Sequence, residues 1–229
     1  MDLYADKSAS VPQKLSITAI EAAILLLSGY VLFGPGGEMI SGWFGWPQFE
    51  TIPARRYVIF GFSVVILLRM AFTMFYLMKR TMPWAEVFSV PAAFSLYYLG
   101  FAIAVLPSDA PLGWIDYAGI ALFALGCYLN TASELDRDRF KKDPANKGKI
   151  YSGGLWGLSM HINFFGDIVW ITAYAVVAQS LWACAIPLLA VGFFAFYNVP
   201  MLDAHLAKRY GDQFTAYAAR TKKLVPFVW

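Results

Sequence analysis

Charge is what this chain has least of. Of its 229 residues only 14% are charged, against 59% hydrophobic, where a soluble domain carries about a quarter charged residues and just under half apolar ones. At this length surface grows too fast relative to volume for such an excess to be hidden in a core, which excludes a water-soluble globular domain. The net charge of +3 is too small a surplus to argue for a nucleic-acid partner. Cysteine is scarce, and Cys127 and Cys184 both fall inside apolar stretches, so no stabilising disulfide is expected. Only two histidines occur, His161 and His205, and no metal site is expected. Nor is a cleavable leader: the start, MDLYADKSASVPQK, is polar, and no small-residue cleavage site follows the first apolar run.

Long apolar runs are what is there instead. A membrane-spanning helix needs about 20 apolar residues, and six stretches qualify: Leu15–Phe33, Tyr57–Met78, Trp84–Leu106, Gly113–Ser133, Asn163–Ala178 and Leu181–Leu202. Backbone groups in lipid have no water to bond, so each stretch is read as a helix. The fold class expected is all-α, a polytopic transmembrane bundle of about six spans. Lys79 and Arg80 follow the second span, a run from Arg137 to Lys149 follows the fourth, and Lys208, Arg209, Arg220, Lys222 and Lys223 follow the sixth. The turns after spans three and five carry no Lys or Arg. Positive residues stay in the cytoplasm, so both termini are expected inside, with Arg55 and Arg56 as the exception. The Gly/Pro-rich stretch Gly34–Pro47 reads as an interfacial loop, its Trp43, Phe44 and Trp46 at headgroup level. After the sixth span, LDAHLAKRYGDQFTAYAARTKKL reads as an amphipathic cytoplasmic helix on the inner membrane surface.

Ionisable groups inside spans mark functional candidates. Glu21, Arg69 and Asp167 fall within the predicted spans, Glu86 opens the third, and Glu50 precedes the second. Asn130 and Glu134 are four apart at the inner end of span four, hence on one helix face. Asn163 and Asp167 repeat that spacing at the start of span five. Two amide–acid faces beside a basic loop offer hydrogen bonds to a polar ligand and positive charge to its phosphates. Helix-end caps would give a similar pattern.

The segment GGLWGLSMHINFFGDIVWITAYA, Gly153–Ala175, resembles the C-terminal domain of the steroid 5α-reductase family. That family has a Gly-Gly-Leu-(Phe/Trp) start and an Asn-(Phe/Tyr)-x-Gly-(Glu/Asp) core, which is Asn163–Asp167 here. GCYLNTASELDRDRF is similar to its Asn-x-x-x-acid face, and YAARTKKLVPFVW to its basic, Pro-Phe ending. The likeness covers Gly126–Trp229. Membrane methyltransferases using S-adenosylmethionine share the superfamily; they carry Arg-His-Pro where this chain has Met160-His161-Ile162, and a Glu-Glu pair that it lacks. The resemblance therefore implies an NADPH-dependent reductase of a carbon–carbon double bond conjugated to a carbonyl, acting on a lipophilic substrate (steroid, sterol, polyprenyl or fatty enone) in the endoplasmic reticulum or a bacterial inner membrane.

It also implies roles. Residues 1–229 form one integral membrane domain, 1–112 on the substrate side and 113–229 on the cofactor side. Asn130, Glu134, Asn163 and Asp167 would hold ribose, nicotinamide and diphosphate. Arg137, Arg139, Arg209 and Arg220 would take phosphate charge, with His161 and His205 as further candidates. The family's proton donor is a tyrosine on an early helix, oriented by a glutamate. An ungapped match places Phe75 there and a one-residue deletion places Tyr76; Tyr76 is chosen because Phe75 has no proton to give. Its acidic partner is Glu50, Glu86 or Glu21.

Overall fold

A computed structural model describes residues 8–229; the first seven residues of the polar start lie outside the described ones. The regular structure among the described residues is helical. In order come α1 (Val11–Phe33), α2 (Pro35–Phe44), α3 (Ala54–Phe72), α4 (Glu86–Ser95), α5 (Phe101–Ala104), α6 (Trp114–Lys142), α7 (Ile162–Ala178), α8 (Ala185–Phe193), α9 (Val199–Tyr210) and α10 (Asp212–Ala218). π-helical turns extend α3 over Thr73–Leu77, join α4 to α5 over Leu96–Gly100, and join α8 to α9 over Phe194–Asn198. Five helical stretches are long and apolar enough to cross a bilayer: Val11–Phe33, Ala54–Leu77, Glu86–Ala104, Trp114–Lys142 and Trp182–Tyr210. The fifth predicted span, Asn163–Ala178, is the apolar 17-residue α7. The chain is a polytopic helical membrane protein.

Three boundaries differ from the sequence reading for physical reasons. The expected loop Gly34–Pro47 contains α2. Pro35 opens that helix and Glu38 sits in its first turn, where both are favoured. Gly36 and Gly37 are not breakers here but contact points: a Cβ on Gly37 would lie 2.3 Å from the Val31 carbonyl oxygen. The fourth span does not end at Ser133, because α6 continues as a solvated helix held by Glu134–Arg137, Asp136–Arg139 and Asp138–Lys142 ion pairs at the spacings that place side chains together. The amphipathic tail is two helices, α9 and α10, divided at Gly211 where φ is +51°.

The chain forms two compact units, one from residues up to Ile120 with Ala173–Ile186, the other from Ala121–Thr172 with Pro187–Trp229. In the first, α1 packs against α2, α3 and α4. This unit also accounts for the exception to the charge pattern. Arg55 is buried and forked onto Asp116, with Nε at 2.7 Å and Nη2 at 3.0 Å, and its Nη1 bonds Ser108 at 2.7 Å. Arg56 donates to the Leu32 and Leu106 carbonyls, each at 3.2 Å, satisfying oxygens at helix ends. These arginines are tied into the bundle rather than presented as free loop charges, which are what the positive-inside bias counts.

The second unit rests on one close helix crossing. A Cβ on Gly166 of α7 would meet the Asn130 backbone nitrogen at 2.6 Å, and one on Gly126 of α6 would meet the Trp170 nitrogen at 2.4 Å. Only glycine lets the two backbones approach so far, as is common between helices in membranes. Leu129, Trp156 and Ile162 form one buried cluster of this unit. Ala195, Val199 and Leu224 form another, with Phe164, Phe165 and Ile168 packed against them.

Candidate functional site

The close approach at Gly126 and Gly166 sets Asn130 and Glu134 of α6 beside Asn163 and Asp167 of α7. The Asn130 amide donates to Asp167 Oδ1 at 2.9 Å and to the Asn163 backbone carbonyl at 3.1 Å. The Asn163 amide donates to Glu134 Oε1 at 3.0 Å. Each amide thus bridges to the acid of the other helix. Trp170 Nε1 adds a second donor to Asp167 Oδ1 at 2.7 Å. Asn163 Oδ1 is buried and has no partner, a cost that an interior acceptor normally avoids.

The basic candidates separate. Arg137 pairs with Glu134 and lies over the Trp156 ring, 4.9 Å from its centroid. Trp156 is itself fixed, giving Nε1–H to the Ser133 carbonyl at 2.8 Å and receiving the Tyr217 hydroxyl on its carbonyl at 2.5 Å. Burial pushes the Tyr217 phenol above the ordinary tyrosine range, while Arg220 and Arg137 nearby pull it the other way. Arg220 donates to Ser152 Oγ at 2.7 Å. Arg137 and Arg220 therefore both border Tyr217, and Arg137 reaches the paired amides through Glu134. Arg139 does not join them: two residues past Arg137 it occupies another helix face, 75% exposed and paired with Asp136. Arg209 is exposed and lies over its neighbour Tyr210. His161 is fully buried, stacked on Phe164, with Nε2 2.9 Å from Asp203 Oδ1 and Nδ1 unpartnered. His205 is half-buried on α9, two positions beyond Asp203 and so on a different side of that helix.

The tail closes this unit. The Met160 and His161 amides donate to the Lys222 and Lys223 carbonyls at 2.8 and 3.0 Å, and Ser159 Oγ bonds Lys223 and Leu224, each at 2.9 Å. Sequence reasoning missed Trp156, Tyr217, Asp203 and Trp170. Trp156 lies inside the quoted Gly-Gly-Leu-Trp motif, Trp170 inside the aromatic stretch after it, and Tyr217 opens the quoted YAARTKKLVPFVW ending, so all three were within reach; Asp203 carries no local signal.

The first-unit candidates fare differently. Tyr76 lies in the π turn after α3, half-exposed and stacked on Phe72 at 5.2 Å. It lines a cavity of about 410 Å³ with Lys14, Phe75, Met78 and Lys79. Glu86 is held by Arg80, whose two terminal nitrogens donate to its two carboxylate oxygens at 2.8 Å. Glu50 is exposed and lines a different recess with Leu32, Glu38 and Arg56. Lys14 and Leu32, one in each recess, sit near opposite ends of α1, roughly 27 Å apart at 1.5 Å per residue, so Glu50 belongs to the wrong end of the unit. Glu21 is fully buried.

Residues 78–221 match a protein family described as of unknown function, DUF1295. Among curated proteins the chain is similar to the human 3-oxo-5-alpha-steroid 4-dehydrogenase 2, 27% identical over 229 residues, covering 95% of this chain and 78% of that one. It is similar to the Delta(14)-sterol reductase erg24 of Schizosaccharomyces pombe, 29% identical over 160 residues, 61% of this chain and 36% of that one. A probable O-methyltransferase, ustE of Ustilaginoidea virens, is 35% identical over 92 residues, 40% of this chain and 32% of its own. The chain thus spans about a third of the last two relatives' lengths and most of the first's.

Proposed function

Because the chain belongs to the DUF1295 family, with relatives named as steroid and sterol reductases, we propose that it is a membrane-embedded, NADPH-dependent reductase of a conjugated carbon–carbon double bond in a lipophilic substrate. The observation that carries this reading is the reciprocal pairing of Asn130 with Asp167 and Asn163 with Glu134, with the Asn163 Oδ1 acceptor left over. An acceptor buried without a partner fits an amide or hydroxyl donor of the cofactor. Arg137 and Arg220, both beside Tyr217, fit its phosphates, which planar guanidinium groups bind with two hydrogen bonds. Trp156 holds Arg137 in place by lying under it.

When bound, the cofactor supplies a hydride. The substrate's β carbon gains that hydride, the π electrons move onto the carbonyl oxygen, and the α carbon then takes a proton from water. The protein's part is to place a hydrogen-bond donor on that oxygen while its negative charge develops, in a site shielded from bulk water. Lys and Arg flank the inner ends of spans two, four and six, which supports cytoplasmic termini and a cofactor arriving from the cytoplasm.

The competing reading, an S-adenosylmethionine-dependent methyltransferase, rests on the similarity to the probable O-methyltransferase. Thermal unfolding of the purified protein in detergent with NADPH, NADH or S-adenosylmethionine separates the two, since a ligand stabilises only a fold that binds it. NADPH is expected to give the largest shift; a shift with S-adenosylmethionine alone reverses the assignment.

A further inference from the structure

The chain between the first two spans folds back on itself for local reasons. α2 stops at Gly45, where φ is +64°, a left-handed value that favours glycine. The Trp46 amide then donates to the Ser41 carbonyl at 2.8 Å, and the Gln48 side chain to the Glu38 carbonyl at 3.2 Å. The chain is thereby reversed, and Glu50 arrives at a recess that Glu38 of α2 also lines. Arg56, in the first turn of α3, lines it too, with Gly34, Gly37 and Ser41.

This recess lies at the edge of the bilayer. It adjoins the end of α1 and the start of α3, both helices long and apolar enough to span. Between them α2 exposes Met39, Trp43 and Phe44, and Phe44 stacks on Trp46 at 4.7 Å. Aromatic side chains of this kind sit at the level of lipid headgroups.

The recess carries charges of both signs that do not meet. Arg56 gives Nη1 and Nη2 to backbone carbonyls and keeps Nε buried without a partner, so its five N–H groups are not used up. Neutral carbonyls leave its charge uncompensated. Glu38 and Glu50 are exposed, and among the described residues neither forms an ion pair with Arg56 or with any other group. Opposite charges lining one recess of about 120 Å³ without pairing leave room for a group that carries both. An anion alone would be repelled by the two carboxylates, and a cation alone by the guanidinium.

We propose that this recess binds the headgroup of a zwitterionic phospholipid bearing a primary ammonium, with its phosphate on Arg56 and its ammonium on Glu38 and Glu50. The planar guanidinium suits phosphate, and carboxylates accept from the three N–H groups of an ammonium. A trimethylammonium headgroup has no N–H to give, and a glycerol headgroup has no cation. The recess is a fraction of the size of a drug-sized pocket, which fits a headgroup whose acyl chains stay in the bilayer. All of its residues belong to the first unit, so the site stands whatever reaction the chain performs.

The test follows thermal unfolding of the full chain, delipidated in detergent, with phosphatidylethanolamine, phosphatidylcholine or phosphatidylglycerol of identical short chains, and with soluble phosphoethanolamine. The ethanolamine lipid is expected to raise the unfolding temperature most. Glu38→Gln combined with Glu50→Gln, both at exposed positions, should fold as the wild type does. It should bind that lipid about tenfold more weakly, since a hydrogen bond to a charged group is worth at least that factor. Arg56→Gln should also lose the preference; if it does not fold, the acid variant carries the decision. Equal shifts from the three lipids, or an acid variant that keeps the ethanolamine preference, overturns the proposal. A shift from phosphoethanolamine as large as that from the lipid assigns the recess to a free, water-borne headgroup and overturns the membrane source.

Discussion

Asn163 donates its side-chain amide to Glu134 at 3.0 Å and keeps its own carbonyl oxygen buried without a donor. A residue that only capped a helix would have no reason to hold an acceptor dry and unpaired. The amide orients the glutamate, the glutamate anchors Arg137, and on the proposed function the unused oxygen is where the cofactor would add its hydrogen bond.

Replacing Asn163 with Ala removes both the donor to Glu134 and that spare acceptor. NADPH affinity is expected to fall roughly 10–100-fold, matching the ~1–3 kcal/mol cost of truncating one partner of a buried polar pair. The protein should still fold, since the Asn130–Asp167 and Trp170–Asp167 bonds remain. Titration of the thermal shift against NADPH concentration measures the loss; an unaltered titration curve would remove Asn163 from the site.

Tyr217 links folding to alkaline pH. Its phenol is held above the usual tyrosine value of 10.0 by burial, so its folded form keeps a proton that the unfolded chain gives up. Stability from this group is complete below about pH 10 and declines as pH rises beyond it, because there the folded state binds more protons than the unfolded one. Tyr217→Phe should be less stable at pH 8, having lost the bond to the Trp156 carbonyl, yet show a flatter decline between pH 10 and 11. Parallel slopes for the two proteins would exclude Tyr217 as the source.

The spans were legible because lipid leaves a chain few options: an apolar run of the right length is a helix, although the fourth and sixth continue past their apolar stretches to Lys142 and Tyr210. The amide–acid pairs were legible because spacing of four fixes a shared helix face. Their mutual bonding across helices was not, since it depends on Gly126 and Gly166 meeting, and a glycine in an apolar run says nothing of what it faces. Gly36 and Gly37 misled for the same reason, reading as a loop where they let α2 fold back on α1. Glu21 stood out as a charge within a span. Glu86 is paired with Arg80, six residues earlier, a contact its position at the start of a span does not announce.

Arg55 tests the topology. Its ion pair with Asp116 is buried on both sides, so Arg55→Ala or Asp116→Ala alone is expected to cost about 3–5 kcal/mol by leaving the other charge unpaired. Arg55→Met with Asp116→Leu should recover much of that loss. If Arg55 carries no topological information, the orientation should be the same in the double variant. Labelling of a cysteine at Lys147 from the cytoplasmic side alone, in wild type and double variant, is the expected result; inverted labelling in the variant would show that Arg55 sets the topology after all.

Gly166→Ala is the sharpest probe of how the second unit builds its site. The new methyl would lie 2.6 Å from the Asn130 nitrogen and 2.8 Å from the Gly126 oxygen, both backbone atoms, so no side chain can swing aside and the helices must separate. Overpacking of this kind typically costs about 1–3 kcal/mol, and the separation pulls Asn130 from Asp167. The expected outcome is a lowered unfolding temperature together with a disproportionate loss of NADPH stabilisation. Gly192→Ala supplies the comparison: its Cβ would meet nothing within 4 Å, and within α8 alanine is a better helix former than glycine by up to ~1 kcal/mol. That variant should match or exceed the wild type in stability and keep the full NADPH shift. If Gly166→Ala instead unfolds earlier but binds NADPH as before, the helix crossing supports the fold without shaping the ligand site.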